Sequence, residues 1–166
     1  MKTSCATTII AITLLLFSNA IQSQTIDPKL NQMELDMQFI GKWKAEAGRD
    51  TIIIIECKSA CNGVETLYKT ETRGKVLFEE KSLLGYDKKT GKLIECSVDN
   101  KSPDIGVYVA WFTSGNKMEE ILLEDLPNAD KASSKTSFEF ISPDVFEITY
   151  TENNRVTDKH TFHREK

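Results

Sequence analysis

Val145-Phe146-Glu147-Ile148-Thr149-Tyr150 alternates ring or aliphatic side chains with polar ones, and Thr136-Ser137-Phe138-Glu139-Phe140 just before it does the same. Successive side chains of an extended chain point to opposite faces, so Phe146, Ile148 and Tyr150 share one face while Glu147 and Thr149 share the other. Phe138 and Phe140 likewise stand against Ser137 and Glu139. Half-buried strands of this kind have one oily side and one wet side, as antiparallel sheets do. Ser142-Pro143-Asp144 joins the two runs closely enough for a hairpin.

On either side, runs rich in Ile, Val, Thr, Phe and Tyr recur at intervals of roughly 8 to 12 residues, the spacing of an all-β sandwich or barrel. Strands are expected over 41–48, 51–57, 63–72, 75–85, 91–99, 105–114, 117–125, 135–142, 144–152 and 155–164. Asp87-Lys88-Lys89-Thr90-Gly91, Ser114-Gly115-Asn116 and Glu152-Asn153-Asn154 supply further turns. The longer link from Leu126 to Ser134, carrying Pro127, Asn128 and Asp130, is expected to be a loop able to cover a barrel mouth. Only Pro28 to Phe39 reads as a helix, with Asp27 as its cap and Pro28 in its first position, and it should plug or lean on one end of the sheet. A hairpin series of this length hides its edges by closing on itself. The expected fold is therefore all-β: a single up-and-down antiparallel β-barrel of about ten strands with a short N-terminal helix, wide enough for one small ligand. Ile52-Ile53-Ile54-Ile55 is apolar on both faces, so its outer face should be covered by the Pro28 helix or a partner chain.

The 166 residues carry 25 acidic and 21 basic side chains, a formal charge of -4, which suits one domain and argues against a nucleic-acid or anionic-membrane partner. Met1-Lys2-Thr3, the apolar run Ala6 to Phe17 and the polar stretch Ser18 to Gln24 have the layout of a signal peptide over residues 1–23. The apolar run is shorter than the roughly 20 residues a bilayer core needs. The barrel domain would then be 24–166, secreted or periplasmic, with no stable membrane insertion. Cys57, Cys61 and Cys96 remain, an odd number that permits one disulfide and a leftover thiol, or inert thiols; their spacing is a weak metal signal and no metal site is assigned.

Phe39-Ile40-Gly41-Lys42-Trp43 resembles the Gly-x-Trp signature of the lipocalin-like, or calycin, barrels, and Phe162-His163-Arg164 resembles the closing strand whose arginine packs over that tryptophan. Gly85-Tyr86-Asp87 and Asp99 resemble a bacterial secreted domain family of unknown function within that group. The second lipocalin signature, a mid-chain Thr-Asp-Tyr, is missing. Gly41, Trp43 and Arg164 also make physical sense as a structural set. Gly41 allows a sharp turn out of the helix, Trp43 fills the barrel floor, and Arg164 lies flat on the indole.

Parity on the last strand puts Val156, Asp158, His160, Phe162 and Arg164 on the inner face, making His160 the polar group to find in the cavity. Resemblance to haem-binding barrels of the nitrobindin kind makes haem on His160 conceivable, and Asp158 with His160 would form an acid–base pair. Val107 to Phe112 is apolar on both faces, with Trp111 opposite Tyr108 and Phe112. The candidate ligand-binding residues are Tyr68, Tyr86, Tyr108, Phe112, Phe138, Phe140, Tyr150 and His160, with Trp111 as a further wall. Glu119-Glu120 and Glu124-Asp125 read as a solvated strand face. No nucleophile, oxyanion hole or phosphate loop is found, so no catalytic residue is assigned. The function expected is non-catalytic enclosure of a small apolar or amphipathic molecule. A haem or proton-transfer barrel built on His160 is one alternative. An interaction module with a self-filled core, docking through Ile52 to Ile55, is the other.

Overall fold

The computed structural model describes residues 30–166; the expected signal peptide, Asp27 and Pro28 lie outside them. A five-residue helix, α1 (Gln32–Asp36), runs into a 3-10 turn (Met37–Phe39). Its N-cap is Asn31, whose side chain accepts the Glu34 N–H at 3.3 Å. Ten strands follow: β1 (Gly41–Glu46), β2 (Thr51–Ala60), β3 (Gly63–Thr72), β4 (Lys75–Asp87), β5 (Lys92–Asp99), β6 (Gly106–Ser114), β7 (Lys117–Leu122), β8 (Ser134–Ser142), β9 (Val145–Glu152) and β10 (Arg155–Arg164). Each pairs with the next, antiparallel, and β10 returns to β1. The fold is thus an all-β, ten-stranded, closed antiparallel barrel with a short N-terminal helix, consistent with the calycin type in general. Among the described residues no helix is long and apolar enough to cross a membrane.

The turn chemistry has a visible cause at Asn153 and Asn154, both at positive φ (49° and 62°), the geometry of a two-residue hairpin that follows the strand twist. Up-and-down topology gathers α1 with the turns at 61–62, 88–91, 115–116 and 143–144 at one end. Segments 47–50, 73–74, 100–105, 123–133 and 153–154 frame the other.

The helix end is closed by aromatic packing. Phe39 drops onto Phe140 (centroids 4.7 Å apart) and Phe146 (5.3 Å), Trp43 meets Phe146 edge-on at 4.7 Å, and Phe146 stacks on Phe162 at 5.0 Å. The expected Gly41, Trp43 and Arg164 set is present. The Arg164 guanidinium lies 3.9 Å from the Trp43 ring centroid and donates to the carbonyls of Ile40, Gln38 and Pro143, while the indole N–H donates to Phe39 O at 2.7 Å. Gly41 sits at φ +135°, and a Cβ there would lie 2.5 Å from Arg164 Nη1, so neither backbone nor space admits a side chain. Gln32 serves as a missing strand neighbour. β5 begins only at Lys92, opposite Trp111, so Phe112 has no partner on that side, and the Gln32 amide accepts its N–H at 2.6 Å and donates to its carbonyl at 3.2 Å.

Three expectations about the wall are corrected, and the cysteine alternatives are decided. Residues 123–131, expected as part of the seventh strand and then a loop over the mouth, form a 3-10 stretch (Leu123–Lys131). Its Leu126 and Ala129 lie with Ala132 on an outward apolar patch of Val109, Trp111 and Ile121. That patch explains why β6 is apolar on both faces. The β2 isoleucines divide by parity: Ile53 and Ile55 are core, whereas Ile52 and Ile54 face outward and are half-buried. Helix α1 packs on β4, β5 and β6 instead. In register, Ile52 and Ile54 are flanked by Glu46, Lys44, Glu71 and Lys69, whose aliphatic stems lie beside them. Val156 is 65% exposed, because a bulge between Val156 and Asp158 turns the first part of β10 over. The three cysteines are unpaired: Cys57 is buried on the inner side of β2, whereas Cys61 sits exposed in the β2–β3 turn and Cys96 exposed on β5, so no loop-closing bridge forms.

Candidate functional site

Above the aromatic floor the barrel is hollow, with a cavity of about 590 Å³ that reaches the rim at Ser134, Glu152, Thr157 and Asp158. That volume falls within the range of small-molecule sites. The interior is not filled by its own side chains, contrary to the self-filled alternative. Its wall is part oily and part polar. Ile55, Val64, Leu84, Met118, Phe138 and Ile148 supply apolar surface, Thr66, Thr70, Ser82 and Thr136 supply hydroxyls, and Tyr68, Tyr108 and Tyr150 supply both.

Five of the eight candidate residues line this cavity: Tyr68, Tyr108, Phe138, Tyr150 and His160. Tyr68 and Tyr150 approach each other across the interior, and burial raises both phenol pKa values, so both stay neutral. The His160 side chain, 12% exposed, holds Asp158 Oδ2 at 3.0 Å through Nε2 near the rim. The other three stand elsewhere. Phe112 and Phe140 belong to the packed core, Phe140 directly under Phe39. Tyr86 has the parity of the cavity residues of β4 but lies beside the β4–β5 turn at the closed end and is 43% exposed. Trp111, the further wall, is buried on the outward patch, with Lys92 Nζ 3.6 Å from its ring centroid. Burial there pulls the Lys92 pKa down to about 8.

The unexpected content of the cavity is acidic. Asp36 from α1, Glu80 from β4, Glu95 from β5 and Glu120 from β7 all face inward. Glu120, expected on a solvated face, is instead inside, because Met118 of the same parity is pulled into the core and carries Glu120 in with it. Glu119 is the outward member, paired with Lys135 at 3.3 Å. Glu95 and Glu120 stand close enough to interact, and burial pushes both pKa values up, that of Glu120 further through the charges of Glu95 and Glu80. Glu80 is raised by burial and then by Glu95 and Asp99. Asp36 is pushed up to about 7 by burial, with a further push from Glu95. Burial also holds the Cys57 thiol at about 12, so it remains protonated and is a poor nucleophile.

These residues do not fit haem. His160 Nε2, a nitrogen a metal would take, is engaged by Asp158, and among the described residues no lysine or arginine lines the interior to meet two propionates while four carboxyl groups stand where they would repel them. The arrangement has what enclosure needs instead: apolar surface to exclude water and a few inward polar groups to set orientation. No family model matches the chain, and neither does any curated protein.

Proposed function

We propose that the protein is a secreted, lipocalin-like carrier that encloses one small amphipathic molecule without transforming it. The observation behind this reading is the cavity of about 590 Å³, walled by both apolar and hydrogen-bonding side chains and reaching the barrel rim. Affinity would come from apolar guest surface leaving water, at roughly 25 cal/mol per Å² before ordering costs. Tyr68, Tyr108, Phe138 and Tyr150 would supply the aromatic contacts, and His160 with Asp158 would sit at the neck. The test is native mass spectrometry of the protein from its own host, together with uptake of the neutral dye Nile red. A co-purified organic mass and dye fluorescence that falls at least tenfold in a cavity-filling Thr136→Trp variant support the reading. A bare protein mass with no dye uptake overturns it.

A further inference from the structure

Of the six carboxyl groups that line the cavity, Asp158 holds His160, the only basic side chain in the lining among the described residues, none of whose lysines or arginines lines the interior. Asp36 comes from the helix at the closed end, Glu80, Glu95 and Glu120 come from the wall strands β4, β5 and β7, and Glu152 and Asp158 come from β9 and β10 near the rim. Asp36 is 2% exposed, lines the cavity, and its Oδ2 has no hydrogen-bond partner. A buried acceptor left without a donor is costly, so it marks a position that a donor would satisfy.

We propose that the enclosed molecule is an amphipathic organic cation, an amine whose ammonium group is bound by Asp36 with the neighbouring Glu95, in the field of Glu120, while its apolar body lies against Tyr68, Phe138 and Ile148. This rests on the enclosure reading and adds the chemical class of the guest. An ammonium group brings several donors and a positive charge to a place with an excess of acceptors and no cation of its own. An anionic guest would meet like charge or force more carboxyls to stay protonated. A bare metal ion is a poorer match, because among the described residues no three His, Cys, Asp or Glu side chains converge to hold one. The apolar side of the same chamber rules for a guest with a hydrocarbon part rather than a small hydrated amine, since Phe138, Ile148 and Leu84 would otherwise face water.

The experiment is isothermal titration calorimetry of the host-purified protein at neutral pH with three probes of equal chain length: octylamine, octanol and octanoate. Octylamine is expected to bind at least tenfold more tightly than octanol, with octanoate weakest. In the Glu95→Gln, Glu120→Gln double variant the amine-over-octanol preference should drop to under threefold. Equal binding of amine and alcohol to the unaltered protein overturns the cation assignment and leaves enclosure standing. Failure of all three to bind overturns enclosure and the cation assignment together. An amine preference that persists in the folded double variant overturns the role of these carboxyls. The comparison within the unaltered protein stands even if the double variant does not fold.

Discussion

Replacing Asp36 with Asn should stabilise the protein, and only on the neutral and alkaline side. Asp36 is buried at the cavity floor, with one carboxyl oxygen lacking a partner, and its pKa rises from 3.8 to about 7 through burial and the nearby Glu95. Below about pH 3.8 the group is protonated whether the chain is folded or not, so it takes nothing from stability. Between 3.8 and 7 the folded state holds a proton that the unfolded state has released, and stability falls as pH rises. Above 7 the penalty is complete. At 1.36 kcal/mol for each tenfold in proton affinity, that interval corresponds to about 4 kcal/mol. Asparagine fills the same space with no charge to desolvate, so Asp36→Asn should gain about 2 to 4 kcal/mol at pH 8 and close to nothing at pH 4. Urea unfolding followed by tryptophan fluorescence at the two pH values measures both. A gain that is equal at pH 4 and pH 8, or absent at pH 8, refutes the assignment of Asp36 as an ionisable group held without a counter-charge.

Two further outcomes follow from the closed end and the thiols. Arg164→Ala removes the stack on Trp43 and the bonds to Ile40, Gln38 and Pro143, and should cost about 3 kcal/mol, lowering Tm by roughly 6 to 12 °C, with Arg164→Lys restoring less than half; a loss under about 1 kcal/mol in thermal unfolding would show the seal to be redundant. Of the thiols in residues 30–166, Cys61 and Cys96 should react with a colorimetric disulfide reagent within minutes, and Cys57, buried with its thiol at about 12, only after denaturant is added; fast reaction of all three in the folded protein would place Cys57 wrongly.

The barrel was legible because most strands obey alternation. Phe146, Ile148 and Tyr150 turn inward as their spacing requires, and the Gly41, Trp43 and Arg164 set closes the floor. The acidic chamber was hidden because the wall around it reverses the rule. In β5 the oilier parity, Cys96 and Val98, faces water, with Val98 52% exposed, while Glu95 and Ser97 face in. β4 is mixed, with Glu80 and Ser82 facing in beside Phe78 and Leu84 while Leu83 is left 57% exposed. A strand lining a polar cavity has its wet side inside, so amphipathicity identifies two faces without saying which is which. Lys117 to Leu122 has a glutamate on each face, and pattern cannot choose between Glu119 and Glu120. Register with the neighbouring strands decides it. Val156 was misplaced for another reason: a bulge resets parity within β10, and the exposed Val-Thr-Asp run does not announce one.

The seam between the first and last strands is short. Trp43 with Arg164 and Lys44 with His163 are the only residue pairs joining β1 to β10, extended by one bond from the Glu165 amide to Lys42 O. All of these lie beside the plug, so the ring is hinged at its base and unlaced toward the rim. Such a slit would let the staves on either side part sideways without surrendering a ladder bond, a lateral door for the guest proposed above. Arg155, Asp158 and Lys159 along the unlaced margin keep that door from templating a stray strand from another molecule.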